Sequence, residues 1–222
     1  MTRLRLYQFA DSPFCAKVRK ILDYKGVEYD LVEVDYLDRA ELLEASGQLM
    51  APALTLASGE TLVNSDRIAA RLEAEYPEPT IFPADWRGIH LALARYFDTE
   101  LEDALFRAAM PAALAYRRRQ GRSYEALWRL VRERKYGAGF CDQMVREHPQ
   151  NQERAATMLA PLDASLGGRA FLLGRIGYAD FALYGQLCNL ALSGELELPA
   201  PLPNLSAFYE RMDQITAVLD AD

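Results

Sequence analysis

Residues 12–15, Ser-Pro-Phe-Cys, set a hydroxyl and a thiol three positions apart where an alternating segment gives way to a helical one. Ser12 suits an N-cap and Pro13 the first helical position. A helix start offers unpaired backbone N–H groups and the positive end of the helix dipole, and both favour an anion. A thiolate is such an anion, and thiols at helix N-termini ionise well below the free value of about 8.5. Two chemistries follow: Cys15 as a nucleophile, or Ser12 as a hydrogen-bond donor to an anion brought by a ligand. The bland alternatives are capping by Ser12 and packing by Cys15, since a lone cysteine on a helix is usually a small buried residue.

The elements that position this turn can be read from spacing. Residues 3–9 (RLRLYQF) alternate as a strand, and Val18, Ile21 and Leu22 give the following helix an apolar face that closes near Lys25-Gly26. Residues 29–34 (YDLVEV) alternate again, so the first three elements predict a right-handed crossover between parallel strands. A polar helix over residues 39–45 is expected next. Residues 53–56 and 61–63 then make a hairpin around the Ala57-Ser58-Gly59-Glu60 turn, and a helix opens at Ser65 and runs to Tyr76. Pro77, Pro79 and Pro83 interrupt any helix and predict a linker over 79–86. Beyond it, residues 91–114, 124–134, 152–166 and 181–192 are periodic or rich in Ala and Leu, with prolines 111, 149, 199, 201 and 203 as punctuation. No strand pattern is found in this half.

Composition narrows the function classes. A formal charge of −7 argues against nucleic acid as a partner, because phosphate binding needs a positive footprint. The basic tract Arg117, Arg118, Arg119 and Arg122, followed by Arg129, Arg132, Arg134 and Lys135, is the local exception and reads as a solvated helix face. Three distant cysteines suggest neither disulfides nor a metal site. With no leader pattern and no apolar run long enough for a membrane span, a soluble, cytoplasmic protein is expected.

The Ser12–Arg19 segment resembles the active-site turn of glutathione transferases, close to the omega-class and glutaredoxin Cys-Pro-Phe-Cys frame with serine in the first cysteine's place. Further along, 50–54 (Met-Ala-Pro-Ala-Leu) is similar to the family's Val-Pro-x-Leu segment, whose proline is cis. Residues 63–69 are similar to its Glu-Ser-x-Ala-Ile motif, and 171–184 to its Phe-Leu-x-Gly-x-x-x-Ser-x-Ala-Asp segment.

The resemblance implies a thioredoxin-like βαβαββα glutathione-binding domain over 1–78, an α+β unit, followed after the linker by an all-α bundle over 87–222. It implies that Ser12 donates to the glutathione sulfur, with Cys15 and Tyr7 as secondary candidates, although the position of the family's tyrosine falls on Gln8. It implies glutathione contacts from Phe14, Met50, Ala51, Pro52, Asn64, Ser65 and Asp66, with Ala51 presenting its backbone to the cysteinyl part. The basic residue often found before the family's Val-Pro is absent, which removes one expected contact to the glycyl carboxylate. Asp180 is implied as a structural cap whose usual Ser or Thr partner has become Gly177. The second substrate, a small hydrophobic electrophile of the kind removed in detoxification, is expected against Phe9, Tyr96, Phe106, Arg107 and Met110. A homodimer with no metal is implied. Two other readings stay open: a glutathione- or ligand-binding or interaction protein without catalysis, and thiol chemistry through Cys15.

Overall fold

A computed structural model of the chain describes residues 3–216; 1–2 and 217–222, which include the end of the expected helical half, lie outside it. Strand β1 (Leu4–Gln8) leads through Ser12 into α1 (Pro13–Tyr24) and returns as β2 (Tyr29–Glu33). Helix α2 (Ala40–Ser46), the hairpin strands β3 (Ala53–Thr55) and β4 (Thr61–Val63), and α3 (Ser65–Glu75) follow. The sheet order is β2-β1-β3-β4, with β1 parallel to β2 and antiparallel to β3. This is the expected thioredoxin-like order.

The period of two in the strands decides which helix covers which face. Leu6, paired with Leu54, packs on the side of α1 and α3, whereas Tyr7, paired with Ala53, faces Leu42 of α2. The chain then passes through residues 76–83 without helix or strand. Among the described residues, every regular element of the remainder is a helix.

Helix α4 (Arg87–Tyr96) runs through a π-helical turn (Phe97–Leu101) into α5 (Glu102–Ala108) and α6 (Met110–Gln120). Then come α7 (Arg122–Tyr136), α8 (Phe140–Arg146), α9 (His148–Ser165), α10 (Tyr178–Leu187) and α11 (Pro203–Asp213). Sequence periodicity does not anticipate α8 or α11. The first is only seven residues long between Gly139 and Glu147, and the second starts at Pro203, one of the prolines read as an interruption.

Every residue of α10 is buried, and the apolar core runs without a break from the α1 face of the sheet through Phe181 to Phe208 of α11. Asp180 is the expected cap: it accepts hydrogen bonds from the Gly177 and Leu172 N–H groups, both at 2.9 Å. The missing hydroxyl at Gly177 has a visible cause. A Cβ there would lie 2.3 Å from the His90 ring, and His90 Nδ1 itself accepts from the Ala179 N–H at 3.3 Å. An imidazole from α4 thus supplies the N-cap acceptor that a serine would otherwise provide.

Candidate functional site

The β1–α1 turn delivers the first group. Ser12 adopts extended backbone angles as the N-cap of α1, is half-buried, and its Oγ accepts the Cys15 N–H at 3.4 Å. That bond uses a lone pair and leaves the hydroxyl proton available. Cys15 is wholly buried, and burial pushes its thiol up to about 12, too high for a thiolate nucleophile near neutral pH. Tyr7 lies on the opposite face of the sheet within the α2 packing, away from the turn, so the structure removes it from the candidate hydroxyls. Gln8 is equally inaccessible: its side chain donates to Glu33 and accepts from Arg19.

A cavity of about 680 Å³, lined by both apolar and polar side chains, opens between the sheet and α4. Phe14, Met50, Ala51, Pro52, Asn64, Ser65 and Asp66 all line it, and the Ala51–Pro52 bond is cis. Asn64, at φ 75°, is the N-cap of α3, and its Oδ1 accepts the Asp66 and Arg67 N–H groups at 2.9 and 3.3 Å. Its amide oxygen is thereby committed to the backbone. The neighbouring Ser65 hydroxyl bonds to no described residue and borders the cavity at the helix start.

Asp66 is fixed from below by a buried network. Lys17, 1% exposed, pairs with Asp66 at 3.1 Å and with Asp98; Tyr178 Oη donates to Asp66, and Gln186 donates to Asp98 at 2.9 Å. Burial works to raise the Asp66 carboxyl, but the Lys17 charge and the two donated bonds outweigh it and hold the group below its ordinary range. Asp98 is deeper, and there burial prevails and raises it. Lys17, Asp98 and Tyr178 were not singled out in the sequence. The available signal was a lysine on the same helical face as Val18 and Ile21, because a cation at a core position requires partners.

A second cavity of about 310 Å³ adjoins the first, with Phe14, Met50 and Ala51 forming wall to both. Ser12 borders this second space at the N-terminus of α1. Of the five residues expected around a second substrate, Phe9 and Phe106 line it. The other three are corrected. Tyr96 packs against Phe97 and the core, Arg107 is tied to Asp103 and lies over Phe140, and Met110 is fully buried in the α5–α8 packing. The π-helical turn at Phe97–Leu101 accounts for Tyr96, since its wider turn shifts the phase between Tyr96 and Phe106 that a constant 3.6-residue period assumes; Arg107 and Met110 lie beyond it with Phe106 and are held by the contacts just named. Residues that the sequence did not assign to a site complete the wall, notably Tyr36, Arg39, Trp128 and Arg132. The basic tract is thus divided. Arg118 and Arg129 share Glu125 at the surface, while Arg117, Arg132 and Lys135 border the cavity.

Residues 6–80 match the profile described as glutathione S-transferase, N-terminal domain, and residues 125–211 the one described as glutathione S-transferase, C-terminal domain. A probable glutathione S-transferase of Nicotiana tabacum is 26% identical over 184 residues, spanning 82% of this chain and 69% of the relative. Prostaglandin E synthase 2 of Danio rerio is 32% identical over 89 residues, 34% of this chain and only 24% of that protein's length. The glutathione S-transferase of Ceriporiopsis subvermispora, solved in complex with glutathione, shares the fold with a TM-score of 0.68 at 20% identity, over 99% of this chain and 100% of that one. Matched in order by both domain profiles of one family, the chain belongs to the glutathione S-transferases.

Proposed function

We propose that the chain is a glutathione transferase in which the Ser12 hydroxyl donates to the thiolate of bound glutathione. The observation that carries this reading is the position of Ser12: an N-cap hydroxyl with an uncommitted proton, beside the Phe14–Met50–Ala51 wall common to the two cavities. A hydrogen bond to a charged acceptor contributes about 1.5 to 3 kcal/mol, and the N-terminus of α1 adds its dipole. The burial of Cys15 favours Ser12 over thiol chemistry by the protein itself.

In this reading the larger cavity takes the tripeptide. The Ser65 hydroxyl and N–H, at the start of α3, receive the γ-glutamyl carboxylate, and Asp66, held ionised by Lys17, receives the γ-amine. The Ala51 backbone meets the cysteinyl part. No residue immediately before Pro52 supplies a cation for the glycyl carboxylate; Arg39, whose guanidinium reaches the Leu49 carbonyl at 2.9 Å, borders the adjoining cavity instead. The sulfur then attacks a carbon bearing a leaving group on the second substrate: the S–C bond forms, the bond to the leaving group breaks, and the thiol proton passes to solvent. The exposed Met50 and Leu91 at the rim of the larger cavity are consistent with a homodimer that covers it.

Retention on immobilised glutathione, followed by conjugation of an aryl halide, tests the proposal. Elution by free glutathione and turnover are expected. A chain that neither binds the resin nor conjugates would refute it.

A further inference from the structure

We infer that the second substrate carries a carboxylate on a flat aromatic body, held by the cations of α6 and α7; the inference rests on the transferase reading for its chemistry but not for its binding site. The chain is acidic, with a formal charge of −7, yet the cavity beside Ser12 is lined by Arg39, Arg117, Arg132 and Lys135 against two carboxylates, Asp11 and Glu102. Asp11 is already paired with Arg117. Glu102 feels the Lys135 and Arg132 charges, which lower its carboxyl, but burial outweighs them and raises it, and it forms no ion pair with either cation. Among the described residues no carboxylate lies within ion-pair distance of Arg132 or Lys135, and Arg132 donates no hydrogen bond.

The cations are also shaped for such a ligand. Arg132 lies 4.6 Å over the Trp128 ring and Lys135 4.7 Å from that of Tyr136, so aromatic faces and positive charges alternate along one wall. A guanidinium stacked on a ring keeps its donor edge free, which suits two-point recognition of a carboxylate. Arg117 carries an independent sign: it is 3% exposed, and its Nε has no hydrogen-bond partner. Buried donors normally find one. A neutral electrophile would leave Arg132 and Lys135 without an anion in ion-pair contact, whereas a carboxylate would meet both.

A matched pair of aryl chlorides tests this: a chlorodinitrobenzoate with chlorine para to the carboxylate, and the corresponding neutral carboxamide. Affinities are measured by calorimetry on the full chain saturated with S-methylglutathione, which cannot react. The acid is expected to bind at least tenfold more tightly, and the ratio to fall several-fold in Arg132→Gln and with added salt. Lys135→Gln, at an exposed position that poses no folding hazard, is expected to lower it as well. Equal affinities for acid and amide, or a ratio unmoved by both substitutions, would overturn the inference. So would a loss of S-methylglutathione binding in Arg132→Gln with the ratio intact, which would assign the cation to the tripeptide. If wild type fails to bind S-methylglutathione, the transferase reading fails separately, and the same comparison on the free chain still decides whether the anion site exists.

Discussion

Replacing Gly185 by alanine adds one methyl group where α10 crosses the first turn of α1. The new Cβ would lie 2.4 Å from the Pro13 carbonyl oxygen and 3.1 Å from Lys17 Cβ. The first neighbour is backbone and cannot rotate away, so α1 and α10 must separate by roughly an ångström, the shortfall from ordinary contact. Overpacking of this kind costs about 1 to 3 kcal/mol, while alanine in place of glycine returns up to about 1 kcal/mol of helix propensity. A net loss of up to about 2 kcal/mol is expected with that return in full, read as a lower denaturation midpoint at unchanged slope.

The displacement falls on the turn that presents Ser12. A misplacement of about 1 Å near reacting groups can reduce turnover by about a hundredfold, so activity should fall further than stability explains. Gly88 is the control, for it lies in α4, has ordinary helical angles, and meets nothing within 4 Å of a built Cβ. Gly88→Ala should be neutral or stabilising by up to about 1 kcal/mol. If Gly185→Ala matched Gly88→Ala in both midpoint and activity, the close approach of α10 to the active turn would not matter, and the positional argument would fail.

The His90 cap predicts coupling: Gly177→Ser should cost about 1 to 3 kcal/mol by collision and His90→Ala about 1 kcal/mol by loss of the cap, whereas the double variant recovers most of both because serine caps the helix itself. Additive losses would refute the exchange. Burial holds His90 below its ordinary 6.5, so the unfolded chain binds the extra proton more readily; this contribution is complete above about pH 6.5 and declines as the pH falls below it, a slope that His90→Gln should flatten in denaturation curves. Lys17→Met leaves two carboxylates without their cation and should destabilise by about 3 kcal/mol or more, with weaker retention on immobilised glutathione; a variant as stable as wild type would remove Lys17 from the account. Burial pushes Cys15 to about 12 and Cys188 to about 11, so an aromatic disulfide reagent at pH 8 should label the native chain slowly and the unfolded chain at all three thiols. Rapid native labelling of Cys15 would contradict its assigned burial.

The half of the candidate site built from Ser12, Ala51–Pro52 and Ser65 was legible because its parts are short in sequence and set by local rules. Ser12-Pro13 announces a helix start, Asn64-Ser65 another, and the alternation of residues 3–9 fixes the strand that precedes the turn. What could not be read depends on how distant helices dock. Arg132 and Lys135 sit more than a hundred residues from Ser12, and a basic tract on a helix has the same composition whether it faces water or a cavity. The π-helical turn is similarly silent, since residues 97–101 carry no composition that distinguishes it from an ordinary helix, and its effect appears only in where Tyr96 points. Lys17 lies between these cases: its position among apolar residues was visible, but Asp66 and Asp98 as its partners required the fold.

Titration of the glutathione thiol in the binary complex, followed by thiolate absorbance in the ultraviolet, tests the role of Ser12 most directly. Losing a bond worth about 1.5 to 3 kcal/mol should raise the midpoint in Ser12→Ala by about one to two pH units, with Cys15→Ala leaving it in place. A midpoint unmoved in Ser12→Ala, or one that moves only in Cys15→Ala, would contradict the assignment.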